Sequence, residues 1–201
     1  MRRRVQSLLV PAAVALLLAL SLAPGCNDNG PSGDAITTEI VATYTADAAP
    51  TEGSVTLQEG EATSSSDTFN VQIVVMGVDD VSAVTFLVTF NPYLLDFVGA
   101  DFSGCFLAEG LADPGTELEA DALDGGDYVD VVASRIGDDL GGVSMEPTDQ
   151  GILGVLTFQA ILATTVLPEL AIEDITVKVC TEGGTCEYRD VTVAGGTVSV
   201  D

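Results

Sequence analysis

Residues 84 to 90, VTFLVTF, alternate strictly before the chain reaches Asn91-Pro92. Val84, Phe86, Val88 and Phe90 fall on one side of an extended backbone, and Thr85, Leu87 and Thr89 fall on the other. This period of two is the signature of a strand buried on one face. Pro92 has no N–H to give to a ladder and Asn91 readily opens a turn, so strand pairing ends there. A second apolar run, LLDFVGA, follows at once, and Leu94, Leu95, Phe97 and Val98 need cover of their own.

The same short-strand pattern runs along the chain from residue 54. SVTLQEG, DTFNVQIVVMGV, SAVTFLVTFN, LLDFVGADF, DYVDVVASRIG, GILGVLTFQAILA, LAIEDITVKV, CEYRDVTVA and GTVSV follow one another between Gly, Asp and Pro punctuation. None of the intervening stretches holds a 3.6-residue period for three turns. About nine short strands in a chain of this size predict an all-β fold, an antiparallel β-sandwich. Residues 103 to 127 form the longest irregular stretch, with room for a short helix around GTELEADAL capped by Thr116. Ahead of the regular pattern, residues 26 to 53 read as a tether or linker with one extra edge strand as an option, leaving 54 to 201 as the sandwich domain. No internal repeat is visible.

The first 25 residues carry Arg2, Arg3 and Arg4 ahead of an apolar run that closes on small residues beside Cys26, the layout of an export signal. Pro11 interrupts the run and it is short for a spanning helix. The tail LAPGC resembles a bacterial lipobox, although Leu22 stands four residues before Cys26 and Ala23 takes the usual leucine place. The resemblance implies acylation of Cys26 and a lipoprotein of the outer membrane or cell surface; ordinary cleavage would give a secreted protein. Removal of residues 1 to 25 leaves Arg135, Lys178 and Arg189 as three bases against all 31 acidic residues, a net charge of −28. Such a surface repels phosphate backbones and anionic headgroups, which excludes nucleic acid as a partner. It suits a protein kept soluble in salty surroundings, and equally one that attracts Ca²⁺.

The whole sequence contains no histidine, so the common Ser-His-Asp and Cys-His arrangements are excluded. The carboxylates are spread through turns without a spacing that sets one apart as acid and another as nucleophile, and the chain is read as no enzyme. In DALDGGDYVD, Asp121, Asp124 and Asp127 step around Gly-Gly as a candidate Ca²⁺ loop, with Asp130 already in a strand. The steps of three depart from the EF-hand pattern. Asp79-Asp80 and Asp138-Asp139 read as plain turns. In an oxidising compartment Cys180 and Cys186 suit a disulfide across a Gly-Gly hairpin, with Cys105 left over; pairing of Cys105 with either of them is the alternative. Zinc is excluded by the lack of histidine and the shortage of thiols.

Taken in order, FLVTFNPYLLDFVGA, VDVVASRIGDDLGG, DQGILGVLTFQA and the closing GGTVSV resemble the cohesin domain, the receptor module of cellulosome-type assemblies. The likeness covers residues 54 to 201. It implies a cohesin-like jelly roll in which the chain crosses between sheets at Asn91-Pro92 and buries Leu95 and Phe97. Phe86, Val88, Phe90, Leu156 and Phe158 then point inward. Leu87, Thr89, Leu153, Val155 and Thr157 would face outward on one sheet as an apolar partner-binding set framed by threonines. The implied function is a monomeric, non-catalytic extracellular module that recognises a dockerin-type protein, or carbohydrate, in polysaccharide breakdown. Carbohydrate fits less well because the chain has no Trp for a stacking platform. The alternative is a structural or assembly lipoprotein of the envelope that uses the sandwich as a spacer.

Overall fold

The computed structural model describes residues 39–137 and 141–201. The expected export signal, Cys26 and Asp138-Asp139 therefore lie outside the described residues. Strands rich in Val, Ile, Thr and Phe form two sheets, because β-branched and aromatic side chains pack well on a pleated surface with one face buried. The larger sheet contains β1 (Ala42–Ala46), β12 (Gly196–Val200), β9 (Glu169–Cys180), β4 (Val81–Thr89), β7 (Tyr128–Arg135) and β6 (Leu118–Asp124) in that spatial order, with β10 (Cys186–Arg189) also pairing β9. The smaller sheet runs β11 (Thr192–Ala194), β2 (Ser54–Glu59), β3 (Thr68–Met76), β8 (Gln150–Ala160) and β5 (Leu95–Asp101). Every named pairing is antiparallel except that of β11 with β2.

The chain crosses from the larger to the smaller sheet between β4 and β5. Asn91 makes this crossing: its side-chain Oδ1 accepts from the Tyr93 N–H at 3.0 Å and its carbonyl accepts from Leu94 and Leu95. Leu95 enters β5 fully buried. Between the sheets Val84, Phe86, Val88 and Phe90 meet Leu156 and Phe158, all buried, as the alternation of their strands requires. Phe158 is the hub, with the rings of Phe69, Phe90 and Phe97 at 5.8, 5.4 and 5.6 Å. Tyr44 extends the stack through Phe69 at 6.3 Å, so β1, within the 26–53 stretch, contributes directly to the core.

Among the described residues twelve strands replace the expected nine. Besides β1, the segment CEYRDVTVA divides at Asp190 into β10 and β11, which join different sheets. The expected helix around GTELEADAL is a single turn, Pro114–Glu117, capped by Asp113 rather than Thr116. From Leu118 the backbone is extended, because Leu118, Ala120 and Ala122 alternate against the core while Glu119, Asp121 and Leu123 face out. The inward positions are mostly alanine, which makes the alternation faint in sequence.

Candidate functional site

The proposed partner set does not share one face. Leu87 and Thr89 lie on β4 of the larger sheet, whereas Leu153, Val155 and Thr157 lie on β8 of the smaller one. The two groups are on opposite sheets of the sandwich. Leu153 is also not outward: it is fully buried in the core. The cause is a β-bulge. Ile73 pairs with Gly154 and Val74 with Ile152, so Leu153 is the extra residue, and the alternation of β8 changes phase there. Val155 and Thr157 remain on the outer side, half-buried.

Around Leu87 the register of four strands sets out a continuous surface. Leu87 is level with Asp130 on β7 and Glu173 on β9, and Asp130 is level with Leu123 on β6. The next row runs Asp121, Val132, Thr85 and Thr176. Thr89 lies between Tyr128 and Ala171. An aliphatic and threonine strip formed by Thr85, Leu87, Thr89 and Val132 is thus flanked by Asp121, Asp130 and Glu173, with Leu123 exposed at the sheet edge. At the other end of the sheet Lys178 sits level with the exposed Tyr188 of β10. Apolar positions inside a polar rim are the usual anatomy of a protein-binding patch.

The outer face of the smaller sheet differs in chemistry. Thr157 donates to Asn70 at 2.8 Å, and Gln159 donates to the Asp67 carboxylate at 2.8 Å. Hydrogen bonds from Ser65 and then Gln159 hold the Asp67 carboxyl below the ordinary carboxylate range. These amides and hydroxyls spend much of their capacity on one another, and Val155 stands among them with Gln72 opposite.

Asp121, Asp124 and Asp127 do not come together as a calcium loop. Asp121 and Asp124 are three residues apart on strand β6, and odd spacing on a strand projects side chains to opposite faces. Asp124 accepts from Gly126 N at 2.8 Å and Asp121 from Ala122 N at 2.8 Å, each serving its own backbone. Among the described residues no three or more of His, Cys, Asp and Glu could hold a metal ion. Asp80 belongs to the β3–β4 turn, where its side chain accepts from Ser144 at 2.6 Å.

Cys180 and Cys186 are directly opposite on β9 and β10 and form a disulfide. The Ser82 hydroxyl, buried, donates to the Lys178 carbonyl at 3.1 Å and lies 3.0 Å from the Cys180 sulfur. Cys105 is unpaired and buried, and burial raises its thiol pKa above the usual value.

No protein-family model and no curated protein matches the sequence. Solved structures do match, and the fold they define is that of the cohesin module. The sixth cohesin of scaffoldin B from Acetivibrio cellulolyticus, solved in complex with a mutant Cel5 dockerin, is 16% identical with a TM-score of 0.54, over 75% of this chain and 100% of that one. A type II cohesin domain from the cellulosome of the same organism is 13% identical with a TM-score of 0.53, over 75% and 95%. The second type II cohesin module of its adaptor scaffoldin is 11% identical with a TM-score of 0.55, over 75% and 91%. At these identities the likeness is one of fold.

Proposed function

We propose that this protein is a non-catalytic binding module that recognises a dockerin-type protein partner through the outer face of the larger sheet, centred on Leu87 and Thr89. The observation that carries the reading is the row of Leu123, Asp130, Leu87 and Glu173, which sets apolar contact between carboxylates on the outer face of the larger sheet. The shared fold with a cohesin solved on a dockerin supports the class of partner. The flanking acids favour an apolar segment bordered by Lys or Arg. In this reading the chain acts as a monomer, is exported, is held at the outer membrane or cell surface by acylation of Cys26, and serves polysaccharide breakdown by assembling other proteins. Polysaccharide itself is the alternative partner, supported by the amide and hydroxyl row on the smaller sheet.

The two faces are separated by single substitutions. Against a panel of dockerin modules measured by calorimetry, Leu87→Asp weakens binding by at least about 30-fold, the size of a hot-spot loss, while Val155→Asp leaves it unchanged. The reverse pattern moves the site to the smaller sheet, and retention of soluble polysaccharide abolished only by Val155→Asp selects the carbohydrate alternative. No binding to any dockerin or polysaccharide removes the proposal and leaves the envelope spacer.

A further inference from the structure

The β8–β9 connection, residues 161–168, reads ILATTVLP and holds no charged residue in a chain with 31 acidic ones. Its four large aliphatic side chains all face solvent: Ile161 51%, Leu162 57%, Val166 66% and Leu167 56% exposed. The Ile161 N–H donates to the Leu94 carbonyl at 2.9 Å, which brings Tyr93, 85% exposed, alongside the loop. Thr164 bridges Val200, and Val200 is level with Ala42 on β1. Val41 and Asp201 exchange both backbone hydrogen bonds at 3.0 Å. The described chain therefore begins beside this apolar loop, at the same end of the sandwich.

We infer that the 161–168 loop, with Tyr93, seats in the interface of a lipid bilayer and sets the orientation of the domain on the membrane. This rests on the acylation of Cys26 proposed above. Thirteen peptide steps separate Cys26 from Glu39, so the acyl group and the start of the described chain are at most about 45 Å apart even if fully extended. That reach holds the domain at the surface and is about the width of the domain itself, so the side chains exposed on the sandwich decide which end meets the lipid. Aliphatic side chains on an uncharged loop, with a tyrosine at the margin, match the chemistry of the headgroup boundary. The loop presents exposed aliphatic side chains and no charged group of its own to pair with a protein partner, which favours lipid over protein. Asp201 beside the loop and the acidic surface in general favour a zwitterionic bilayer over an anionic one.

With no Trp in the chain, one substitution installs a single reporter. Leu162→Trp places it in the loop. Tyr188→Trp places it on β10, which pairs the Cys180 end of β9, whereas the loop leads into the opposite end at Glu169. Each mature protein is reconstituted into phosphatidylcholine liposomes carrying brominated acyl chains. The Leu162→Trp indole should shift to the blue and lose about half its emission, as expected of a side chain buried about 5–10 Å into the headgroup boundary. The Tyr188→Trp indole should keep a water-like spectrum, and adding Val166→Asp to the Leu162→Trp chain should reverse the shift. Water-like emission from both indoles overturns the proposal. The mass of the mature protein reports acylation separately. An acylated chain without the shift keeps the anchor and removes the loop; an unacylated chain that still shifts on adding liposomes keeps the loop and removes the anchor.

Discussion

Tyr44 shows how one side chain ties the first strand to the core. Its ring stacks on Phe69, and its hydroxyl donates to the Leu57 carbonyl at 3.3 Å. A Cβ at Gly196 would collide with that hydroxyl and with the Thr45 carbonyl, so the glycine is a requirement of close approach. Burial first, then Asp47 and Glu59, raise the Tyr44 pKa well above the ordinary tyrosine value. The folded state therefore favours the protonated phenol. Its contribution is complete below about pH 10 and fades as pH rises further, because the unfolded chain then releases a proton that the folded chain retains. Urea midpoints measured between pH 8 and 11 should fall above about pH 10 in the wild type and fall less in Tyr44→Phe. Equal slopes would remove this account. Leu153 makes a second residue-scale test: Leu153→Ala should lower stability by about 2–5 kcal/mol in denaturant unfolding, as a fully buried leucine does. Leu87→Ala, on the outer face, should cost well under half of that.

At the scale of elements, β10 adds little to the core. All four of its residues are exposed, and it pairs only with β9, to which the Cys180–Cys186 disulfide joins it. A bridge closing so short a loop adds about 2 kcal/mol by the chain-entropy argument. Reduction should therefore release β10 while β4 and β9 stay paired through Val84–Val177 and Val88–Ile172 in the core. Hydrogen exchange with and without reductant should show faster exchange confined to residues 181–189. Loss of protection across β4 would mean that the bridge holds the sheet itself. Cys105 should stay unmodified by a thiol reagent until the domain unfolds, since it is buried at the start of the short 3₁₀ turn Phe106–Ala108.

For the molecule as a whole, charge is the dominant surface property. The chain as written carries a formal −25, and self-repulsion of that size opposes the compact state. Among the described residues the one salt bridge is Arg189 with Glu187 at 3.2 Å, both exposed, which contributes little. Screening should thus stabilise the fold: raising NaCl from about 10 mM to about 150 mM shortens the Debye length to about 8 Å, and Tm should climb by several degrees. A Tm that is flat or falls with salt would show that the acids are locally compensated.

The sequence by itself determined the class of fold, the inward set of β4 and the crossing at Asn91-Pro92, because alternation and turn chemistry are local properties of the chain. A Cys180–Cys186 hairpin was among the sequence's readings, but the choice against Cys105 came from the structure. Three further things were settled only by tertiary structure. The bulge at Leu153 turned an outward residue inward, since one unpaired residue inverts the alternation of a strand and its place depends on the register with β3. The parity of β6 separated Asp121 from Asp124, since carboxylate spacing has no meaning until the backbone is known to be strand or loop. The face around Leu87 needed β6, β7 and β9 brought level with β4 from as far as 91 positions along the chain, as in the Thr85–Thr176 pair. Those pairings answer to the burial of both sheets together, which no window of sequence contains.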